Sequence, residues 1–506
     1  MRLTKVEMRN YRLLVESDLT IDKDTTLIVG RNNTAKTSFL LFLSGILNNE
    51  SLKYDDYPLS KRKDLINSLI QFLAKKVSYE LFCKNLAKPS MKFYIDYTEE
   101  DEEDYLSGLS PFIIDVDESV SQAIILAEYY IKMSESDFGE IFKEIKIPED
   151  ESAYDGIINA IKDILSENFG KIFSLSIKAI NPSDKNVLLA KSVQELRTLF
   201  PLFSIRAERN LDESGDKKRS SLQSIINDYF CFDENNLDKD IKDNVLQLRH
   251  IVNEANNNIQ KKTDDLLSQL VNKAVGFGYP NAEELQLGVT AKLAIPEQIQ
   301  NNSELTYRNT DNDSLPSEYN GLGYKNLIKI QFQLAQFASQ IKQCGMACLP
   351  LLFIEEPESH MHPQMQQVFI SYLENFLKEI SEVHIQVIVT SHSPHVTNEV
   401  EFAKIRYSQR TACGVVYKDL NDFANSNPEN VEFIRKYMMV SRCDLFFADK
   451  AIFVEGASER LLLPDIINKC EDLKLSAQYI TLIEVCGAYA YKFISLVDFL
   501  GIPSLI

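Results

Sequence analysis

The chain has 506 residues, a formal net charge of −20, and 44% hydrophobic against 25% charged residues. That length leaves room for about three domain-sized units; that charge excludes binding nucleic acid by bulk attraction, so such contact needs a local basic patch or a metal. No run approaches the ~18 apolar residues of a membrane span and the N-terminus lacks an apolar signal core, so a cytoplasmic protein without a membrane partner is expected.

Residues 2–29 read as three short strands, RLTKVEMRN, SDLTI and TTLIV, the last leading through a loop into a helix over Thr37–Leu47. The loop runs Gly30-Arg-Asn-Asn-Thr-Ala-Lys36-Thr37-Ser38, a Walker A pattern with Ala35 in place of the second glycine. In such a loop backbone N–H groups at a helix N-terminus bind phosphate, Lys36 adds charge and Thr37 holds Mg²⁺. Gly30, Asn33, Lys36, Thr37 and Ser38 form the expected phosphate-binding set. Asn33 tolerates left-handed backbone better than most residues. Ala35 fits only if its φ is negative and its methyl group clears the phosphate.

Residues 55–200 mix helical and strand-like pieces that the pattern does not order, with a solvated acidic loop at Asp96–Asp104. The basic cluster Lys217-Lys218-Arg219 is short and reads as a surface loop. From Ile241 to Leu270 apolar residues recur at spacings of mostly four and three, which predicts a helix. Packing within the domain and an exposed dimerising arm both fit it. Residues 300–320 are rich in turn formers and read as a long loop. It ends at Asn320-Gly321-Leu-Gly323, a permissive turn before a helix and a candidate ABC-type signature.

LLFIEEPESHMHP, Leu351–Pro363, is an apolar strand ending in two carboxylates, with a helix expected from His362. Glu355 takes the metal-coordinating position and Glu356 the position that polarises an attacking water. QVIVTSHSPH is a second strand ending at His392, whose imidazole can reach a γ-phosphate. His360, His362 and His395 read as structural hydrogen-bonding residues. Strands and helices alternate here, giving an α/β pattern with a largely parallel sheet. A strand (CGVVYKD) and a helix (VEFIRKYMM) follow. The eight cysteines are scattered without a CxxC pair and read as reduced core thiols.

In FFADKAIFVEGASERLLLP, Phe446–Pro464, a buried strand meets a tight turn and then a helix. Glu455 falls at the strand end and Glu459 about one helical turn on, so both carboxylates can face one point. Two hard oxygen ligands suit Mg²⁺ or Mn²⁺.

Assembled, these motifs resemble ABC-type ATPases of the RecF and SMC branch. They are most similar to the OLD (overcoming lysogenisation defect) family, which joins such an ATPase to a C-terminal Toprim nuclease domain. The segments carrying the likeness are GRNNTAKTS, EEPESHMHP, TSHSP, DLFFADKAIFVEGASERLLLP and VCGAYAYKFISLVDFLGIP. The resemblance implies an ABC-type head at 1–210 and 301–447, a helical insertion and possible dimerisation arm at 211–300, and the first part of a Toprim domain at 448–506. It implies ATP on Lys36 and Thr37, Mg²⁺ near Thr37 and Glu355, and hydrolysis through Glu356 and His392. Gly321 and Gly323 would complete the site of a facing subunit in a homodimer or higher homo-oligomer. Glu455 and Glu459 would be Toprim metal ligands, and DNA the substrate. Family members defend bacteria against phage, alone or with a second protein, as in Gabija systems and some retrons, where the partner includes retron nucleic acid.

Three departures accompany the resemblance. Ala35 replaces a glycine. Asn320 stands where ABC signatures carry serine. The sequence stops at Gly501-Ile-Pro-Ser-Leu-Ile506, before the Asp-x-Asp pair of Toprim domains, so a longer native protein is expected. The competing reading is an ATP-sensing scaffold without nuclease activity that holds a partner protein or nucleic acid. A RecF-like or SMC-like repair ATPase is disfavoured, because the helical segment is short and VEGASE has no place in it.

Overall fold

The computed structural model describes residues 1–97, 108–115, 117, 119–145, 154–206, 247, 250–251, 254–258, 261–262, 306–308, 314–316, 322–344, 348–359, 361–381, 383–439, 443–469, 475, 478–485 and 489–506. They fall into two compact units, Met1–Ala207 with Cys344–Ile506, and Glu208–Gln343.

The strands, in chain order, are β1 (Arg2–Tyr11), β2 (Leu14–Thr20), β3 (Thr25–Val29), β4 (Ser90–Asp96), β5 (Gln122–Ile131), β6 (Phe173–Ile180), β7 (Leu188–Lys191), β8 (Leu202–Ile205), β9 (Thr306–Arg308), β10 (Ser314–Pro316), β11 (Leu351–Glu355), β12 (Gln386–Ser391), β13 (Ile405–Arg410), β14 (Val415–Asp419), β15 (Lys450–Val454), β16 (Ile480–Glu484) and β17 (Ser504–Leu505).

In the first unit, β14-β13-β3-β12-β11-β8 form one sheet, parallel throughout except for the β13–β14 edge pair. Every residue of β3, β11 and β12 is buried, as expected for central strands covered on both faces, whose sequences read as near-continuous apolar runs. Gln386 opens β12 without an unpaired group: its side chain exchanges hydrogen bonds with both the N–H and the carbonyl of Leu3.

The stretch 55–200, unordered by sequence pattern, supplies most of a second sheet, β2-β1-β4-β5-β6-β7, antiparallel throughout. β4 alternates buried and half-buried residues, the mark of a strand with one face on a core. Helices Leu59–Leu73 and Tyr154–Ile172 share that core, where Phe169 meets the rings of Tyr54 and Tyr57 edge-on at 5.6 and 5.8 Å. A seam joins the two sheets. Val415 N–H donates to Leu13 O at 2.8 Å, the Ser17 hydroxyl donates to Val415 O, and Thr20 Oγ1 donates to Asp419 Oδ2 at 2.5 Å.

The C-terminal part of this unit is a three-stranded parallel sheet, β16-β15-β17, followed across the β15 turn by helix Ala457–Lys469. It packs on the β13–β14 edge: Lys418 donates to Phe499 O, and the rings of Phe423 and Phe499 lie 5.2 Å apart. No helix among the described residues is long and apolar enough to cross a membrane.

In the second unit, the described residues of the 241–270 segment are helical. The expected loop at 300–320 contains a short antiparallel hairpin, β9–β10, so it is not uniformly irregular. The following helix spans Leu322–Cys344. Gly323 therefore lies inside its first turn instead of in the turn before it, while Asn320 and Gly321 lie outside the described residues.

Candidate active site

The carboxyl ends of β3, β11 and β12 lie side by side, with Val29 opposite Ser391 and Thr390 opposite Glu355. Ligands of open α/β sheets bind at this edge. The residues that leave these three strands are Gly30, Glu356 and His392, so three motifs spread across more than 300 positions converge because their strands are neighbours.

The loop after β3 is held by side chains of β13 and β14. Ser408 Oγ donates to Thr34 O at 2.6 Å and Tyr417 OH to Ala35 O at 3.3 Å. Gly30 has φ +153, and a Cβ there would sit 2.6 Å from Ser408 O, so this position requires glycine. Asn33 is left-handed, with φ 62, as its residue type allows. Ala35 departs from expectation: its φ is +60, not negative. Left-handed geometry costs an alanine about 1–2 kcal/mol. The Tyr417 and Ser408 bonds to adjacent carbonyls are what hold it there.

Helix Lys36–Leu47 starts one residue earlier than expected. Lys36 is buried, and Nζ donates to Gly30 O at 2.9 Å and Arg31 O at 2.8 Å. Burial pulls its pKa down to about 8, against the charges of Glu356 and Glu358, which favour the ammonium. Thr37 is exposed and Ser38 half-buried at the start of the helix.

Glu355 ends β11 and is buried; its Oε1 has no hydrogen-bond partner among the described residues. Burial raises its pKa, opposed by the Thr37 hydroxyl and the Arg206 charge. A buried, under-coordinated carboxylate oxygen beside a threonine hydroxyl fits a hard divalent cation. Glu356 follows at φ 42, a strained conformation for a glutamate. Its Oε1 lies 3.3 Å from His392 Nε2. His362 is the N-cap of helix Pro363–Ile380, its ring accepting the Gln364 N–H at 3.4 Å, in keeping with a structural role. His395 is exposed, and His360 lies outside the described residues.

Sequence reasoning did not anticipate what lies against this edge. Arg31, inside the phosphate loop, pairs with Asp449, the residue before β15. Asp449 also accepts the Tyr479 N–H at 2.8 Å, and its own N–H donates to Tyr479 O at 2.7 Å, closing the start of the β15–β16 pair. The Phe447 ring lies 6.4 Å from that of His392. An acidic residue directly before KAIFV was the only sequence signal.

At the far end of β15, Glu455 and Glu459 are both exposed, at the strand end and in the first turn of the helix. Glu459 Oε2 accepts the Gly456 N–H at 3.0 Å, so that carboxylate turns back over the strand-end turn. Glu484 ends the neighbouring strand in register with Val454, and Arg460 lies 3.5 Å from its carboxylate. Among the described residues no three His, Cys, Asp or Glu side chains are grouped so as to hold a metal ion. Glu455 and Glu459 are thus two exposed carboxylates flanking one strand-to-helix turn.

A phosphate loop, a carboxylate-ended strand and a histidine-ended strand at one edge of a parallel sheet define a P-loop ATPase. A profile of the AAA ATPase domain matches residues 1–397, and one of the TOPRIM domain of overcoming lysogenization defect-like proteins matches residues 446–506. The chain belongs to the AAA ATPase domain family and is an ATPase–Toprim nuclease of the OLD type. Among its relatives is a protein named Endonuclease GajA from Bacillus cereus strain HuB5-5, 25% identical over an alignment of 525 positions that covers 99% of this chain and 72% of that protein. Another is the OLD nuclease of Thermus scotoductus, 25% identical over 237 residues, 46% of this chain and 42% of that protein. Among solved structures, the SMC head domain from Thermotoga maritima matches at 11% identity and a TM-score of 0.34, covering 83% of this chain and 99% of that one.

Proposed function

We propose that the protein is an ATP-regulated, Mg²⁺-dependent DNA endonuclease acting in bacterial antiphage defence. The observation that carries this reading is the Arg31–Asp449 pair, which ties the phosphate loop to the strand that leads to Glu455. A nucleotide that occupies the loop competes for Arg31, so ATP and the Toprim strand share one side chain.

In this reading Gly30, Asn33, Lys36, Thr37 and Ser38 bind the phosphates, and Thr37 with Glu355 holds Mg²⁺. The ion supplies charge neutralisation on the phosphates when bound. Glu356 orients the attacking water, and His392 donates a hydrogen bond from the imidazole. Gly321 and Gly323 serve a facing subunit in a homo-oligomer. Glu455 and Glu459 are metal ligands for strand cleavage, where Mn²⁺ substitutes for Mg²⁺. The head occupies 1–210 and 301–447, the insertion 211–300 and the Toprim part 448–506. The relative named GajA supports a Gabija-type setting.

The test is nicking of supercoiled DNA by the native protein in Mg²⁺ or Mn²⁺, with and without ATP. Cleavage should vanish when Glu455 and Glu459 are both replaced by alanine. Glu356→Gln should bind ATP without turnover. Nicking that survives the double replacement would overturn the metal assignment, and normal hydrolysis by Glu356→Gln the ATPase assignment.

A further inference from the structure

Glu358 has no part in the roles above, yet its carboxylate is built into the same edge. The chain leaves β11 through Glu356 and the buried Pro357, and this turn brings Glu358 back toward the end of β12. Oε1 accepts the His392 N–H at 2.6 Å, and Oε2 is buried without a hydrogen-bond partner among the described residues. Burial raises its pKa; the His392 N–H and the Ser391 hydroxyl act the other way. Desolvating a carboxylate is expensive unless it is well paired. A turn needing only to reverse the chain would leave such a group in water.

Its partner is specific. The backbone N–H that Glu358 accepts belongs to the residue whose ring reaches Glu356 at 3.3 Å. A second link runs the other way: Glu356 N–H donates to Thr390 O at 2.9 Å. The turn after β11 and the end of β12 are thus cross-tied on both sides of the Glu356–His392 contact. Only one of the two ties uses a side chain. Without it, the main chain at His392 is left to the neighbouring Ser391 and Ser393 bonds.

We infer that Glu358 is a positioning residue for ATP hydrolysis, fixing the main chain of His392 so that its imidazole stays within reach of Glu356. The inference rests on reading Glu356 and His392 as the hydrolytic pair. A short hydrogen bond of this kind holds geometry well, and small misplacement of catalytic groups is costly in rate.

Steady-state hydrolysis of Mg·ATP by the full chain tests it. Glu358→Ala should lower kcat about tenfold to a hundredfold, with KM and nucleotide affinity near wild type. Glu358→Gln keeps an acceptor oxygen in place and should retain most of kcat. His392→Ala with Glu358→Ala should be no slower than His392→Ala alone, because both act through one group. If Glu358→Ala does not fold, Glu358→Asp, which withdraws the carboxylate by one methylene, should show the same loss of kcat at unchanged KM. A wild-type kcat in the alanine or aspartate variant overturns the inference, as does a double variant whose losses multiply. Wild-type kcat in both Glu356→Gln and His392→Ala overturns instead the reading on which it rests.

Discussion

Arg31, the second residue of the phosphate loop, pairs with Asp449, the residue immediately before the strand that leads to Glu455. The guanidinium is half exposed, so the pair contributes little to stability, about 1 kcal/mol or less. Arg31→Ala should leave the melting temperature nearly unchanged. It should abolish any change that ATP causes in amide exchange of β15 and β16, and Asp449→Ala, which removes the other partner of the pair, should do the same. An ATP response that persists in Arg31→Ala would sink the link.

Ala35 carries left-handed strain that a glycine would not. Ala35→Gly should stabilise the protein by about 0.5–1 kcal/mol, less than the full strain because glycine also loosens the unfolded chain. Titration with ATP should show tighter binding. A lower unfolding midpoint in denaturant would contradict the strain argument.

Gly30 tolerates no side chain, because φ is +153 and Ser408 O would lie 2.6 Å from the new Cβ. Gly30→Ala should cost about 1–3 kcal/mol and remove ATP binding, since the loop and β13 cannot both keep their places. Denaturant unfolding and isothermal titration measure the two effects separately.

The described thiols differ sharply in access. Cys413 is exposed, while Cys443 is buried and burial pushes its pKa up to about 12. An acid whose folded pKa lies above its ordinary value stays protonated, and unreactive, until pH rises through the folded value. Iodoacetamide at pH 7–9 should label Cys413 and leave Cys443 untouched, as read by peptide mass spectrometry. Equal labelling of the two in the native protein would refute the burial.

Much of the nucleotide edge was legible in the sequence because its strands are buried on both faces: TTLIV, LLFIE and QVIVT stand out as apolar runs ending in polar chemistry. Of the antiparallel sheet, β1 and β2 were legible as strands, and β4 to β7 were not. Its strands are half-buried, are separated by insertions of uneven length and lack a repeating turn signal. Ala35 misled because residue type sets a preference, whereas Ser408 and Tyr417, nearly 400 positions away, set the angle. Glu358 and Asp449 were unreadable for the same reason: each acts through a partner that only the fold supplies.

The seam between β2 and β14 has a consequence for biosynthesis. Ser17 and Thr20 bond to Val415 and Asp419, 398 and 399 positions later, and β3 lies between β12 and β13 in the sheet. β1 meets its partner β4 within the first hundred residues, but β3 leaves the ribosome long before β12 and β13 exist. Such distant pairings close slowly, so β3 and the phosphate loop wait half-formed while most of the chain is added. A nascent chain paused before residue 380 should therefore remain protease-sensitive at the phosphate loop.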